Sequence, residues 1–400
     1  MESGIESPAG RAVDGDPSAE PLVSVVIPCL NEAESIEECV RSARRVLDES
    51  GLSGEVVVAD NASEDGSGEL AERAGARVVH EARRGYGSAY LAGFAAARGR
   101  YIVTADADQT YDFAEIPRFV EELEKGAEMV IGNRMNNILP GAMPWLHRYI
   151  GNPVLSGFLN LLYRSGVHDA HCGMRALRRD ALPRLRLRST GMEFASEMVV
   201  RAVKEELKIA EFDIDYSPRA GESKLSSFSD GWRHLKLLLV NSPTALFMVP
   251  GMAMLALGLL GMALSLSGVS LFGREWYIHT TIAAALLTIV GAQVVTLALS
   301  ARAFAVEALG EKPDRVLTWG REHVRIEHAL LAGALVVLAG LVIAGVIVGT
   351  WIGRGFGELS EDRLIVFAAV LIILGLQAIF SAFFLSIISL ARGAPPSWPD

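Results

Sequence analysis

"VTADADQTYD", residues 103–112, sets two carboxylates, Asp106 and Asp108, one residue apart at the end of an apolar run. Acidic pairs ordinarily decorate solvated loops, yet this one follows a strand-like segment directly. A loop at the end of a strand is a common place to hold a metal ion. Its meaning therefore depends on what the neighbouring segments bring beside it.

Working outward, "PLVSVVIPCLNE" (21–32) reads as a short β-branched strand ending at Pro28, then a helix with apolar positions Ile36, Val40 and Val46–Leu47. "GEVVVADNASEDGS" (54–67) holds a second buried strand, Val56 to Ala59. "ARVVH", "YIVTAD" and "EMVIGNR" add three more. Helical patterns over Gly66–Ala74, Gly87–Ala97 and Ala114–Lys125 lie between them. Strands alternating with helices predict an α/β domain, a Rossmann-like and mostly parallel sheet in a doubly wound arrangement. Ligands of such sheets bind beyond the carboxyl ends of the strands. Cys29–Leu30–Asn31–Glu32, Asp60–Asn61 and Asp106–Ala107–Asp108 then converge on one edge. Asp and Asn also favour turns, but three clusters on one edge, one of them D-x-D, point to a site. Neither GxGxxG nor GxxxxGK[ST] follows the first strand, which disfavours dinucleotide and P-loop binding. "RRGYGSAYLAGF" (83–94) puts Arg84 and two glycines before a helix start, which either receives a diphosphate or serves packing.

The rest of the chain differs in character. The 400 residues are 50% apolar, with mean hydropathy +0.30, and the excess lies beyond residue 240. Ala245–Gly273, Tyr277–Ala301, Ala329–Gly353 and Leu364–Ala391 are nearly free of charge. Each exceeds the roughly 20 residues that cross a bilayer core, so four transmembrane helices are expected. The connection between the second and third carries Arg302, Lys312, Arg315, Arg321 and Arg325; the others carry Arg274, and Arg354 with Arg363. Positive-inside counting places the basic loop, both termini and the N-terminal domain in the cytoplasm. Glycines in the spans, as in "PGMAMLALGLLG", permit close helix packing and would serve a homo-oligomer. The acidic, Gly/Pro/Ser-rich residues 1–21 read as a disordered tail rather than a signal peptide. The expected domains are thus 1–21 tail, 22–243 catalytic, 244–391 membrane and 392–400 tail. Three cysteines with no CxxC fit a reducing compartment, and a net charge of −10 excludes nucleic acid as a partner.

A D-x-D loop holds Mg²⁺ or Mn²⁺ through one or two carboxylates and leaves the remaining positions to water and phosphate oxygens. That suits sugar transfer from a nucleoside diphosphate, whose leaving group the metal neutralises. "PCLNE", "ADNASEDGS" and "DADQ" resemble the family-2 glycosyltransferases of GT-A fold. More narrowly they are similar to polyprenyl-phosphate glycosyltransferases such as dolichyl-phosphate mannose and glucose synthases. The resemblance covers about Val23 to Pro243. It implies that Pro28, Asn31, Glu32 and Asp60 line the nucleotide pocket, with Arg84 nearby and Asp60 facing uracil or guanine. It also implies that Asp106, Asp108 and Gln109 hold the metal and diphosphate. "GNR", ending at Arg134, and "PRAGESKLS", with Arg219, Ser223 and Lys224, resemble the family's acceptor-phosphate motifs; Arg offers bidentate phosphate contacts and Lys a point charge.

The expected reaction is a single inverting displacement by a polyprenyl-phosphate oxygen on a glucose, mannose or N-acetylglucosamine nucleotide, UDP-glucose and GDP-mannose being favoured, with Asp106, Asp108 and Arg134 as the catalytic set. A phosphate monoester has a second pKa near 6, so no strong base is required. Apolar stretches near 141–165 (Trp145, Tyr149, Phe158, Tyr163) and 226–240 (Trp232, Arg233, Lys236) suit helices lying in the membrane interface, the first having a packed core helix as its alternative. His168, His171 and Cys172 offer an incomplete zinc set, while the resemblance makes Arg175 a phosphate contact. Glu193 and Glu197, four apart, face the sugar hydroxyls, the acceptor or solvent. Two rivals stand beside this reading. A processive polysaccharide synthase would carry Q-x-x-R-W, which none of Gln109, Gln293 and Gln377 begins. A non-catalytic nucleotide-sugar or lipid-carrier binding protein would lack an intact D-x-D.

Overall fold

The structure is a computed structural model that describes residues 20–221, 227–267, 269, 278–313, 318, 325–356 and 362–390. Ser223 and Lys224, the tail 392–400, nearly all of the tail 1–21, and Arg274, Arg315 and Arg321 lie outside the described residues. The chain divides into two units at Leu238/Leu239.

The first unit is built on a seven-stranded sheet. Its strands are β1 (Val23–Cys29), β2 (Gly54–Asp60), β3 (Arg77–His80), β4 (Tyr101–Thr104), β5 (Met129–Asn133), β6 (Arg175–Arg178) and β7 (Ile209–Asp213), in the order β3-β2-β1-β4-β6-β5-β7. All pairings are parallel except those of β6, which runs antiparallel to β4 and β5. β1 is central and buried on both faces, as the apolar run "VSVVI" requires of a parallel strand. Helix α1 (Ile36–Glu49) buries Ile36, Cys39, Val40, Ala43, Val46 and Leu47, one stripe of 3.6-residue period. α2 (Ser67–Arg73), α3 (Tyr86–Ala96) and α4 (Ile116–Glu124) fall where the apolar spacing puts them. β6 and β7 were not legible: four- and five-residue strands with Arg, Glu and Asp in them carry no clean alternation.

Helix α5 (Asn152–Tyr163) buries only Ser156 and Leu159. Trp145 and Tyr149, in the turn before it, and Val154 and Leu161 on it are exposed. Phe158 and Tyr163 instead pack partly against the core, and the Tyr163 hydroxyl donates to the Leu238 carbonyl at 2.7 Å. Between α5 and the last helix of the unit runs α6 (Phe194–Lys204), packed beside the sheet. The last, α7 (Ser227–Val240), turns Trp232 outward and buries His234 and Leu238.

Among its described residues the second unit holds four helices long and apolar enough to cross a membrane: Thr244–Ser267, Ile278–Glu307, Ile326–Gly353 and Asp362–Ile388. Some of their glycines are consumed inside the chain, whereas Gly345, Gly349 and Gly353 on the third span meet nothing. A Cβ on Gly258 would stand 2.4 Å from the Thr288 backbone, and one on Gly291 2.4 Å from that of Leu255, which locks the first two spans together. Gly340 abuts the Ala368 carbonyl and Gly333 that of Gly375, which locks the last two.

Candidate active site

The parallel register brings the ends of β1, β2 and β4 level: Cys29 pairs with Asp60, and Val26 with Thr104. Beyond them the chain turns sharply. Asn31 and Gln109 adopt left-handed φ of 51° and 62°, a region where Asn is tolerated better than most residues. The loops after β1 and β2 are stitched together. Asn31 N donates to Ser63 Oγ at 2.9 Å, its Oδ1 accepts from Glu64 N at 2.8 Å, and Glu32 N donates to Ser67 Oγ at 2.8 Å. Ser35 Oγ, at the start of α1, donates to the Ala107 carbonyl at 2.6 Å and so ties the acidic loop to that helix.

Asp60 is buried, accepting from Ser63 N at 3.2 Å on Oδ1 and meeting His80 Nδ1 at 3.1 Å on Oδ2. Beside it Asn61 bridges the Glu81 and Arg83 carbonyls and accepts from Gly85 N. Arg84 lies at the rim, paired with Glu64 at 2.6 Å. The helix start that follows is closed by packing. Ser88 N donates to the Thr190 carbonyl, and a Cβ on Gly85 or Gly87 would fall 2.2 Å from the Thr190 or Ser189 carbonyl oxygen.

Asp106 accepts from Tyr86 OH at 3.1 Å and Tyr90 OH at 3.4 Å. Burial and the neighbouring Asp108 carboxylate push its pKa up to about 6. Asp108 accepts from the Thr110 N–H and hydroxyl on Oδ1 and faces Arg219 Nη2 at 3.6 Å on Oδ2. Arg219 also bonds Glu32 Oε1 at 3.2 Å, so one guanidinium spans the nucleotide and metal ends of the expected pocket. Its segment is pinned by Ser217 N to the Thr110 carbonyl and Ala220 N to the Asp108 carbonyl, both at 3.0 Å.

Arg134 is near this centre but heavily engaged. Nε and Nη2 bond the two oxygens of Asp169 at 2.7 and 2.9 Å, Nη1 donates to Tyr111 OH, and the Tyr216 ring lies 5.0 Å below. The buried pair holds the Asp169 carboxyl below the usual carboxylate range despite its desolvation. Arg175 is buried and spends its guanidinium on the carbonyls of Cys172, Ala195 and Ala170. That makes it a staple, where a phosphate contact was expected. Glu197 is likewise structural, accepting from Arg188 N and Ser189 N, while Glu193 carries a buried Oε2 without a partner. His168 bonds Glu211, His171 bonds Ser196, and Cys172 Sγ turns to the Met174 carbonyl, so these three side chains diverge.

The donor set, two carboxylates, suits a hard divalent cation, and a guanidinium already drawn to Asp108 marks the place as one that attracts positive charge. Among the described residues no group of three His, Cys, Asp or Glu forms a cage. A metal here would take its remaining ligands from diphosphate and water. Sequence reasoning missed Tyr86 and Tyr90, whose four-residue spacing on one helix face was the available signal. It also missed Asp169, which carries none.

Residues 24–186 match the model of glycosyl transferase family 2, and residues 299–389 that of the glycosyltransferase family 2 C-terminal transmembrane region. The low-salt glycan biosynthesis hexosyltransferase Agl6 of Haloferax volcanii is 42% identical over 375 residues, 93% of this chain and 90% of that protein. The chain is a family 2 glycosyltransferase. The dolichyl-phosphate hexose transferase of the same organism is 35% identical to this glycosyltransferase over 212 residues, 52% of this chain and 89% of that one. Among solved structures, glucosyl-3-phosphoglycerate synthase from Mycobacterium tuberculosis, in complex with Mn²⁺ and UDP, aligns with TM-score 0.46 and 23% identity over 56% of this chain and 80% of that one. The GT-A-like sheet followed by four candidate spans agrees with the family assignment.

Proposed function

We propose that this family 2 glycosyltransferase moves a hexose from a nucleoside-diphosphate sugar to a polyprenyl phosphate with inversion at the anomeric carbon. The observation that carries the reading is the D-x-D at the mouth of β4, with Arg219 already lodged between Asp108 and Glu32. The dolichyl-phosphate hexose transferase relative supports the acceptor class. Pro28, Asn31, Glu32, Asp60 and Arg84 would hold the nucleotide, with UDP-glucose and GDP-mannose the favoured donors. Mg²⁺ or Mn²⁺ held by Asp106 and Asp108 beside Gln109 would neutralise the departing diphosphate. The acceptor phosphate is largely dianionic near neutral pH and attacks as the glycosidic C–O bond breaks, so no carboxylate base is needed. Arg134, Arg219, Ser223 and Lys224 are assigned to its phosphate, and catalysis comes from positioning and electrostatics. Arg134 would reach a phosphate only through Nη1, now on Tyr111 OH, because Asp169 occupies its fork and offsets its charge. The basic connection after the second span supports a cell-membrane location with the catalytic unit and both termini cytoplasmic, and the exposed Trp145 and Tyr149 suit contact with the bilayer surface.

The test is the purified full chain in lipid with undecaprenyl or dolichyl phosphate. Labelled UDP-glucose, GDP-mannose and UDP-N-acetylglucosamine are offered separately, each with Mg²⁺, Mn²⁺ or chelator. Label in the organic phase from one donor, abolished by chelator, is the expected result. Nucleotide release with the label left in water would turn the reading toward a polymer synthase, and binding without turnover toward a non-catalytic protein.

A further inference from the structure

The two oxygens of Asp106 are treated differently by the fold. Tyr86 OH donates to Oδ1 at 3.1 Å and Tyr90 OH to the same oxygen at 3.4 Å, whereas among the described residues none donates to Oδ2. Oδ2 is not one of the buried polar atoms left without a partner, so it reaches solvent. A glycine keeps that side clear: a Cβ on Gly173 would stand 2.5 Å from Oδ2.

The phenols are themselves held. They lie one turn apart on α3 and meet edge to face at 4.9 Å, and the Tyr90 ring stacks on Phe194 of α6 at 5.6 Å with 4° between the planes. The start of α3 is anchored beside Asp60, where Asn61 Oδ1 accepts from Gly85 N at 2.6 Å, and Ser88 N donates to the Thr190 carbonyl. A carboxylate set next to a second one needs hydrogen-bond donors to stay ionised. A guanidinium would supply them, but it would also bring the positive charge that a metal ion brings, as Arg219 does at Asp108. Two phenols steady the anion and add no charge.

We propose that Tyr86 and Tyr90 are positioning residues: they grip Asp106 by Oδ1 so that Oδ2 is presented to the divalent cation, and Gly173 keeps the approach open. The inference rests on the proposed transferase reading, in which Asp106 and Asp108 hold the metal. Hydrogen bonds made to a metal ligand from behind set affinity or activity by about 10- to 100-fold.

The test is made on the full chain in nanodiscs of zwitterionic lipid, with Mn²⁺ binding read from the free-ion EPR signal. Tyr86→Phe/Tyr90→Phe keeps both rings and removes both donors. Its Mn²⁺ affinity should fall about tenfold or more. Turnover at limiting Mn²⁺ should fall in step and recover when Mn²⁺ is saturating. Gly173→Ala sets a methyl against Oδ2 and should weaken Mn²⁺ binding at least as much, although both phenols remain. Wild-type affinity in either variant overturns the proposal. So does a loss of turnover in the tyrosine variant that excess Mn²⁺ leaves in place, which would assign the phenols to the fold or to the sugar. Wild-type Mn²⁺ binding that Asp108→Asn abolishes and the tyrosine variant retains would remove this inference and leave the transferase reading standing. A wild-type chain that binds no Mn²⁺ would defeat both.

Discussion

Arg219 Nη2 lies 3.6 Å from Asp108 Oδ2, so a guanidinium stands beside a carboxylate of the D-x-D. A divalent cation bound there meets like charge, which in partly buried surroundings costs a measurable fraction of its affinity. Arg219→Gln should therefore tighten Mn²⁺ binding in the absence of nucleotide several-fold, read by the free-ion EPR signal, and lower turnover by about 10²-fold. Two readouts moving in opposite directions distinguish a resident cation from a residue that merely supports the fold; unchanged Mn²⁺ affinity would rule out the competition.

Asp108→Asn keeps the oxygen that Thr110 bonds and removes the charge. Turnover should fall by roughly 10² to 10³ with far-UV circular dichroism unchanged. Isothermal titration should register nucleotide binding that no longer responds to Mg²⁺ or Mn²⁺. Full activity in this variant would remove the D-x-D from the mechanism.

Asp169 and Arg134 form a buried two-point ion pair. Removing one partner of such a pair leaves an uncompensated charge out of water, at a cost on the order of 3–5 kcal/mol. Asp169→Asn should lower the unfolding midpoint of the detergent-solubilised chain markedly, whereas Arg84→Gln, on an exposed rim pair, should leave it within experimental scatter.

His171 and His234 pack edge to face at 4.5 Å, with Ser196 Oγ between their nitrogens at 3.1 and 2.8 Å. Burial, and for His171 the neighbouring imidazole, hold both below the ordinary value; His234 falls to about 4. Asp230 and Glu193 favour the charged form of His234 and Arg175 opposes it, but desolvation dominates. The unfolded chain therefore binds protons that the folded one refuses. Stability is full above the unfolded value near 6.5 and is lost as pH falls from there toward 4, by on the order of 3 kcal/mol for His234 alone. Thermal unfolding at pH 7.5 and pH 5 should show the loss, and His234→Gln should flatten it; a wild-type midpoint independent of pH over that range would contradict the assignment.

What was legible in the sequence was local. β1, β2 and β4 announce themselves as β-branched runs with an Asn or Asp at the strand end or two residues beyond it, and the four spans by unbroken apolar length. The D-x-D was placed because a strand-end rule needs only the residues on either side of it. The rest depended on partners far along the chain. Nothing around Arg134 names Asp169, thirty-five residues away, and nothing in "CGMR" says that Arg175 turns to three carbonyls and opens an antiparallel strand. A cation motif looks the same on the page whether its charge is free for a ligand or already spent, because burial is decided by the whole fold.

The bonds from Ser217 and Ala220 to the backbone of Thr110 and Asp108 have a kinetic meaning. The segment that carries Arg219 and the loop that carries the acidic pair are tied backbone to backbone, so under the proposed reaction donor and acceptor would report on each other through the peptide chain. Any factor by which the proposed nucleotide would improve the grip on the proposed lipid phosphate would return as the same factor in the grip on the nucleotide. With the proposed donor and acceptor, an enzyme wired in this way would hold its activated sugar tightest only while the proper acceptor is in place, which would spare it from water.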